Sequence, residues 1–286
     1  MRRSIVAGMD LTADNGHRQV QIGSLYGLSA AALFGASTPI SKLLLPGVSP
    51  LMLAALLYLG AAALISLFRV LSLARGQQSP EARIRRSDMP ALCGVIGFGG
   101  VLGPVLMLFG LAQISALTGS LLLNLEAVFT IVLAVILFHE HLDVMSEVAS
   151  AVIILGAALL SYEPGTVAGT SLGVLAIVAA CLSWAIDNNL SQRLSLRDPV
   201  VIVQIKSAGA GLTSLVLALA TGHVFPAPMF LFGALALGCL SYGASLICVM
   251  LALRHLGAAR EAAWFSTAPF IGAGLRSEER RVGKEC

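Results

Sequence analysis

The chain is divided into long apolar runs separated by short polar segments, and most runs approach the roughly 20 residues that a helix needs to cross a hydrocarbon layer. Of its 286 residues, 57% are hydrophobic and only 12% are charged. A soluble domain carries about 25% charged residues. So few charges cannot cover a surface that faces water. The sequence therefore predicts an all-α membrane protein with the lipid bilayer as its surroundings.

The positions of the runs predict about nine helices, each long enough or nearly long enough to span the membrane. They lie near residues 23–45, 50–71, 90–112, 115–138, 144–162, 170–190, 199–221, 229–253 and 257–275.

Arginine residues fall in alternate loops, which predicts the orientation of the chain. They occur before the first helix and between residues 69 and 86, whereas the loops at residues 46–49, 163–169 and 222–228 contain no Lys or Arg. Cationic loops are retained on the cytoplasmic side. We therefore expect a multi-pass protein of the cell inner membrane with a cytoplasmic N-terminal tail at residues 1–22. The net charge of +3 is too small to indicate a nucleic-acid partner.

A weak internal repeat appears when residues 33–50 are laid on residues 183–199. Phe34 then falls on Trp184, and Pro50 falls on Pro199 after one gap. A first half of five helices reverses the orientation of the copy that follows, as in many secondary transporters. We expect a first repeat at residues 23–162 and an incomplete second repeat at residues 170–275.

Four motifs together carry a resemblance to a known family. They are LFGASTP at residues 33–39, GSLLLNLE at 119–126, CLSWAIDNN at 181–189 and FSTAPF at 265–270. In order and spacing they resemble the EamA family of the drug/metabolite transporter superfamily.

The resemblance implies a ten-helix fold of two inverted five-helix repeats around a central cavity. It also implies alternating-access transport, in the direction of export, of small metabolites such as amino acids or their derivatives. Leu57 stands where the family often has Arg, while the matching second-half residue is Lys206. Residues 276–286 resemble nothing in the family, so we expect a C-terminally truncated member with a non-native charged tail and without its tenth helix.

Glu126 is the most informative single residue because it lies near the middle of a predicted helix, where an acidic side chain costs about 3 kcal/mol to insert. It either faces a cavity, where it titrates or holds a substrate ammonium, or forms a structural hydrogen bond. Asn124 lies two residues away and faces elsewhere, which favours contact between helices over ligand binding.

Lys206 and Asp187 each allow two interpretations. Lys206 lies about two turns inside the seventh helix and can turn inward, although snorkelling to the cytoplasmic interface is the favoured interpretation. Asp187 can partner Lys206, although its place near the end of the sixth helix favours the loop near Arg193.

The remaining candidates are helix breaks and aromatic residues. Each of Pro39, Pro104 and Pro269 removes a backbone hydrogen bond inside a predicted span and favours a kink, and such breaks often flank transporter sites. Trp184 and Trp264 can line a cavity or lie at the lipid interface, and the sequence does not separate these alternatives.

No nucleotide-binding, nucleophile or metal motif occurs in the sequence. We therefore expect no metal, no cofactor and no enzymatic activity. An intramembrane enzyme or lipid-handling protein is the alternative, and a receptor-like sensor is a third. An enzyme should gather several acid, base or metal-binding residues at one depth, whereas Glu126 stands nearly alone in the sequence. A homodimer is also compatible with the sequence.

Overall fold

The computed structural model describes residues 2–76, 81–138, 148, 152, 170–268, 270 and 271. The predicted fifth helix, Pro269 and the charged segment at residues 276–286 lie outside the described residues, apart from the isolated positions 148 and 152.

The described residues form helices and no strands. We number the α-helices α1 to α12 and name two π-helical segments π1 and π2. In chain order they are α1 (Arg2–Gly35), α2 (Ser37–Leu44), α3 (Pro50–Ala74), α4 (Met89–Gly94), π1 (Val95–Leu102), α5 (Gly103–Gln113), α6 (Ala116–Leu122), α7 (Leu125–Phe138), α8 (Thr170–Leu194), α9 (Pro199–Ala220), α10 (Pro228–Leu237), π2 (Gly238–Ala244), α11 (Ser245–Leu256) and α12 (Ala258–Phe265). A 3-10 turn at Arg86–Asp88 precedes α4.

Seven helical stretches in the described part are long and apolar enough to span a membrane. They are Arg18–Leu44, Pro50–Ala74, Arg86–Gln113, Thr118–Leu137, Leu172–Leu194, Pro199–Ala220 and Pro228–Leu256. These match the predicted helices 1 to 4 and 6 to 8. Helix α12 is the described beginning of the predicted ninth helix. The all-α membrane fold expected from the sequence is therefore confirmed.

The first helix begins earlier than predicted, at Arg2 instead of near residue 23. Its polar N-terminal part contains no proline before Pro39, so nothing in the sequence interrupts the helical hydrogen bonds there. The prediction relied on hydropathy, which marks where a helix can enter lipid and not where the helix starts.

Helices α3 and α9 begin in the same way. Ser49 caps α3 by accepting a hydrogen bond from the backbone N of Met52 at 3.4 Å. Asp198 caps α9 by accepting one from the backbone N of Val200 at 3.0 Å. A proline follows each cap, where its missing N–H costs nothing. Pro50 and Pro199, which the repeat comparison aligned, thus occupy equivalent positions.

Segment π1 lies inside the spanning stretch Arg86–Gln113, and π2 lies inside Pro228–Leu256. Small residues allow close packing around both segments. A Cβ atom added to Gly238 would lie 2.1 Å from the backbone oxygen of Leu57, and one added to Gly60 would lie 2.3 Å from that of Leu235. The π2 region and α3 therefore approach backbone to backbone.

The main helix contacts join the two expected repeats to each other. Helix α3 packs along α9 and π2, α1 packs along α11, and α8 packs between α5 and α7. The fully buried side chains Tyr58, Leu57 and Tyr242 lie where these helices meet. The core of the protein is consequently the interface between the two halves of the chain.

We expect Gly238→Ala to lower stability by about 1–3 kcal/mol, the usual cost of overpacking, because the new methyl group would press on the α3 backbone. The matched control is Gly97→Ala in π1, where an added Cβ meets nothing within 4 Å. Thermal unfolding of both variants in detergent measures the difference. Equal midpoints for the two variants would contradict the close approach.

Candidate functional site

A cavity lies between the helices near the middle of the described bundle. It is lined by polar and aromatic side chains from both expected repeats. They are Phe34, Tyr58, Glu126, Trp184, Asp187, Asn188, Ser191, Lys206, Tyr242, Ser245, Glu261 and Phe265, accompanied by aliphatic residues of α9 and α11.

Lys206 and Asp187 form an ion pair inside this cavity. The Lys206 ammonium donates a hydrogen bond to Oδ2 of Asp187, and the two residues are only 5% and 3% exposed. Ser191 donates a second hydrogen bond to Oδ1 of Asp187 at 3.2 Å. The favoured sequence interpretations of both residues were therefore wrong. Lys206 does not snorkel and Asp187 does not face the loop, because each supplies the counter-charge that makes burial of the other tolerable.

Glu126 is also buried in the cavity wall, and its carboxylate has a neutral partner. Asn188 donates from Nδ2 to Oε1 of Glu126 at 2.9 Å and to Oγ1 of Thr130 at 3.3 Å. The next residue, Asn189, donates to the backbone oxygen of Thr130 at 3.1 Å. Two successive asparagines of α8 thus fix α7 and the orientation of the Glu126 side chain.

The π1 segment contributes a buried backbone acceptor beside the ion pair. Tyr58 and Trp184 both donate to the backbone oxygen of Gly99, at 2.8 Å and 3.1 Å. A Cβ atom on Gly99 would lie 2.1 Å from the carboxylate of Asp187. Glycine at this position therefore makes room for the ion pair, while the irregular helix offers its carbonyl to two aromatic side chains.

Aromatic rings form one wall of the cavity. Phe34 lies 5.7 Å from Trp184 in an edge-to-face arrangement and 5.4 Å from Phe265, measured between ring centroids. Tyr58 and Tyr242 continue the cluster at 5.1 Å. Phe34 and Trp184 are the residues that the repeat comparison aligned, and in the structure they contact each other.

Glu261 is a cavity residue that the sequence analysis missed. It is 1% exposed, it lies in the first turn of α12, and neither of its carboxylate oxygens has a hydrogen-bond partner among the described residues. It lies near the start of the predicted ninth helix at residues 257–275, and the cost of placing an acidic side chain in a membrane helix is the signal that could have identified it.

The other predicted site residues lie outside this cavity. Asn124 is buried and donates to the backbone oxygen of Leu121 at 3.0 Å. Trp264 is 38% exposed on the outside of α12. Pro39 is buried in α2, and Pro104 begins α5 where π1 ends.

A second, smaller cavity adjoins the first and shares Glu126, Asn188 and Phe34 with it. It lies where helices are interrupted. Helix α1 gives way to α2 at Ala36, and α6 gives way to α7 around Asn124. Glu126 therefore lines two neighbouring cavities at the level of these breaks.

Glu126 is not nearly alone among charged residues inside the bundle, so this prediction from the sequence was wrong. The fold brings it together with Asp187, Lys206 and Glu261, which are distant in the chain. In the described part of the chain, no three His, Cys, Asp or Glu side chains are placed to hold a metal ion. The cavity has the character of a binding site with both signs of charge and an aromatic wall.

Seven candidate spans and an enclosed polar site define a multi-pass helical membrane protein of the transporter class. The sequence model of the EamA-like transporter family matches residues 21–162. An uncharacterized transporter from Methanothermobacter thermautotrophicus is 31% identical over 261 residues, which cover 86% of this chain and 76% of that protein. The chain belongs to the EamA-like transporter family, which points to a transporter and not an enzyme.

A protein known from its crystal structure shares the fold. It superimposes with a TM-score of 0.68 at 19% sequence identity, and the match covers 88% of this chain and 86% of that one.

We expect Asp187→Asn to destabilise the protein by about 3–5 kcal/mol, because it leaves the Lys206 ammonium buried without a counter-charge. The double variant Asp187→Asn/Lys206→Met removes both charges and should recover most of that loss. Thermal unfolding in detergent checks the comparison. A double variant as unstable as the single variant would contradict this account of the pair.

Proposed function

We propose that this transporter is a secondary carrier that exports small metabolites, such as amino acids or their derivatives, across the inner membrane by alternating access. The observation that carries the proposal is the cavity between the two expected repeats, lined by Glu126, Asp187 and Lys206. A site shared by two packed halves can be exposed to either side when one half rocks against the other.

The charges in the cavity favour a zwitterionic ligand. An amino acid presents an ammonium group, which suits the carboxylates of Glu126 and Glu261, and a carboxylate, which suits Lys206. The aromatic wall formed by Phe34 and Trp184 suits an apolar side chain. Binding the carboxylate would require Lys206 to share its contact with Asp187.

At the end of the bundle that contains Arg197 and Arg254, charged contacts hold the loops and helix ends together. This is the arrangement expected of a gate. Arg254 contacts Glu81 at 2.8 Å and donates to the backbone oxygen of Ser195 at 2.7 Å. Arg197 contacts Asp88 at 2.8 Å. These contacts join the segment after α3 to the α8–α9 turn and the end of α11. Opening on this side would break partly exposed ion pairs, which cost less to separate than the buried pair of Lys206 and Asp187.

An intramembrane enzyme acting on a lipid-linked substrate is the second candidate, favoured by the convergence of three acidic side chains on one cavity. Isotope-labelled metabolites recovered from the medium discriminate between the two. A carrier releases the labelled compound unchanged, whereas an enzyme releases a product with altered bonds.

We expect Glu126→Gln to slow metabolite release roughly ten- to a hundredfold, since a hydrogen bond to a charged group contributes about 1.5–3 kcal/mol. The substitution preserves the shape of the side chain and its contact with Asn188, so folding should be retained. Metabolite profiling of cells with the wild type, the variant or no transporter measures release. Membrane content and the thermal midpoint serve as controls. Unchanged release across a pH series would rule out the role of Glu126.

We expect the arginine-containing loops, such as the one between residues 69 and 86, to lie on the cytoplasmic side. Single cysteines are introduced at the exposed positions Arg83 and Val224 in a background without the native cysteines. An impermeant thiol reagent added outside intact cells should label position 224, and position 83 only after lysis. Labelling of position 83 in intact cells would contradict the proposed orientation.

A further inference from the structure

Glu261 differs from the other two carboxylates of the cavity because, among the described residues, it has no hydrogen-bond or ion-pair partner. Asp187 is paired with Lys206, and Glu126 accepts from Asn188. Neither oxygen of the Glu261 carboxylate has a hydrogen-bond partner among the described residues, although the residue is almost fully buried. A lone ionised carboxylate in such a place is too costly to persist, so the group must hold a proton or meet a cation.

A structural role as a helix cap does not account for Glu261. A capping carboxylate in the first turn accepts a hydrogen bond from a backbone N–H at the helix start. Here the backbone N of Gly257 bonds to the backbone oxygen of Leu253 and that of Glu261 bonds to the backbone oxygen of Gly257. The Glu261 carboxylate takes part in neither bond and lines the cavity instead.

The described helices that pack on α12 supply few charges to this space. Helix α7 contributes Glu126 and α8 contributes Asp187, and both would repel a negative charge on Glu261. The cation of Lys206 on α9 is bound to Asp187. Tyr26 of α1 and His255 of α11 stack on each other at 6.1 Å and do not line the cavity.

We propose that Glu261 is an exchange site, which carries a proton while the cavity is empty and releases it when an organic ammonium group takes its place. The proposal rests on the carrier function above and names the charged group that the carrier recognises. Each bound monovalent ammonium displaces one proton to the aqueous phase that the cavity faces. The charge of the cavity therefore stays constant, and proton and ammonium binding exclude each other.

The surroundings of Glu261 suit an ammonium group with an apolar substituent. Phe265 lies one turn further along α12 and packs on Phe34, and aromatic faces attract cations. The hydroxyl of Tyr242 lines the same cavity and has no hydrogen-bond partner among the described residues. It can accept a hydrogen bond from an ammonium that the carboxylate holds.

Infrared difference spectroscopy of the full chain in detergent tests the first half of the proposal. The wild type should show the C=O stretch of a protonated carboxylic acid at neutral pH, and Glu261→Gln should lack it. The matched control, Glu126→Gln, should keep the band that Glu261→Gln loses. Absence of this band from the wild type, or its persistence in Glu261→Gln, would overturn the proposal.

Measurement of proton release tests the second part of the proposal, which is the replacement of the Glu261 proton by an ammonium group. Methylammonium, 2-phenylethylammonium and phenylalaninamide are added to weakly buffered protein containing a pH indicator, with neutral 2-phenylethanol as the control. The wild type should release about one proton per bound cation, Glu261→Asp should retain release, and Glu261→Gln should lose it. Thermal unfolding shows that the variants are folded. If Glu261→Gln does not fold, the wild type and Glu261→Asp still decide the outcome.

No release with any ammonium, or undiminished release from folded Glu261→Gln, would overturn the exchange. Such a failure is distinct from failure of the carrier function, because metabolite release from cells is measured separately. Cells that export a metabolite through a protein without proton release would contradict only the exchange. A protein that releases protons to ammonium and moves no metabolite would contradict only the carrier function.

Discussion

Hydrocarbon cannot solvate a charge, so every ionised side chain inside the bundle needs its compensation from the protein itself. The pair of Lys206 and Asp187 meets this requirement and links α8 to α9 through their side chains in the cavity. Its effect reaches a third helix, because a side chain at Gly99 would occupy the space of the Asp187 carboxylate. The buried pair therefore requires a glycine at position 99 of π1.

The same constraint applies to the backbone. A helix that departs from regular hydrogen bonding in a membrane must have its freed groups satisfied internally. The π1 segment does so by presenting the oxygen of Gly99 to the hydroxyl of Tyr58 and the indole of Trp184. The irregularity is therefore part of the cavity wall, and the residues that satisfy it belong to the aromatic cluster. Tyr58 and Trp184 therefore both stabilise the helix packing and line the cavity.

The sequence predicted the spanning helices well because lipid imposes a length and a composition on each of them separately. It predicted the site less well. Lys206 lies close enough to a helix end for snorkelling, and only the position of Asp187 on the neighbouring helix shows that it turns inward. Glu261 lies near the start of a predicted helix, where an acidic side chain can equally face the membrane interface. The π segments have no sequence signature beyond their glycines, which equally indicate ordinary helix contacts. Such features depend on which helices meet, and one-dimensional patterns do not carry that information.

The two halves of the chain are alike in where their helices begin and unlike in their charges. Ser49 and Asp198 cap equivalent helices, but seven residues after the aligned prolines one half has Leu57 and the other Lys206. Leu57 is fully buried in the apolar core, whereas Lys206 faces the cavity. The cation therefore lies to one side of the interface between the halves, and Glu261, a carboxylate that has no partner in the described part of the chain, lies on α12. A ligand that carries separate positive and negative groups would find opposite charges on different helices, α12 and α9. This difference exists although α3 and α9, the equivalent helices of the two halves, begin with similar caps. The electrostatic asymmetry of the cavity thus comes from a few side chains, while α3 and α9, which begin with similar caps, supply packed surfaces from both halves of the chain.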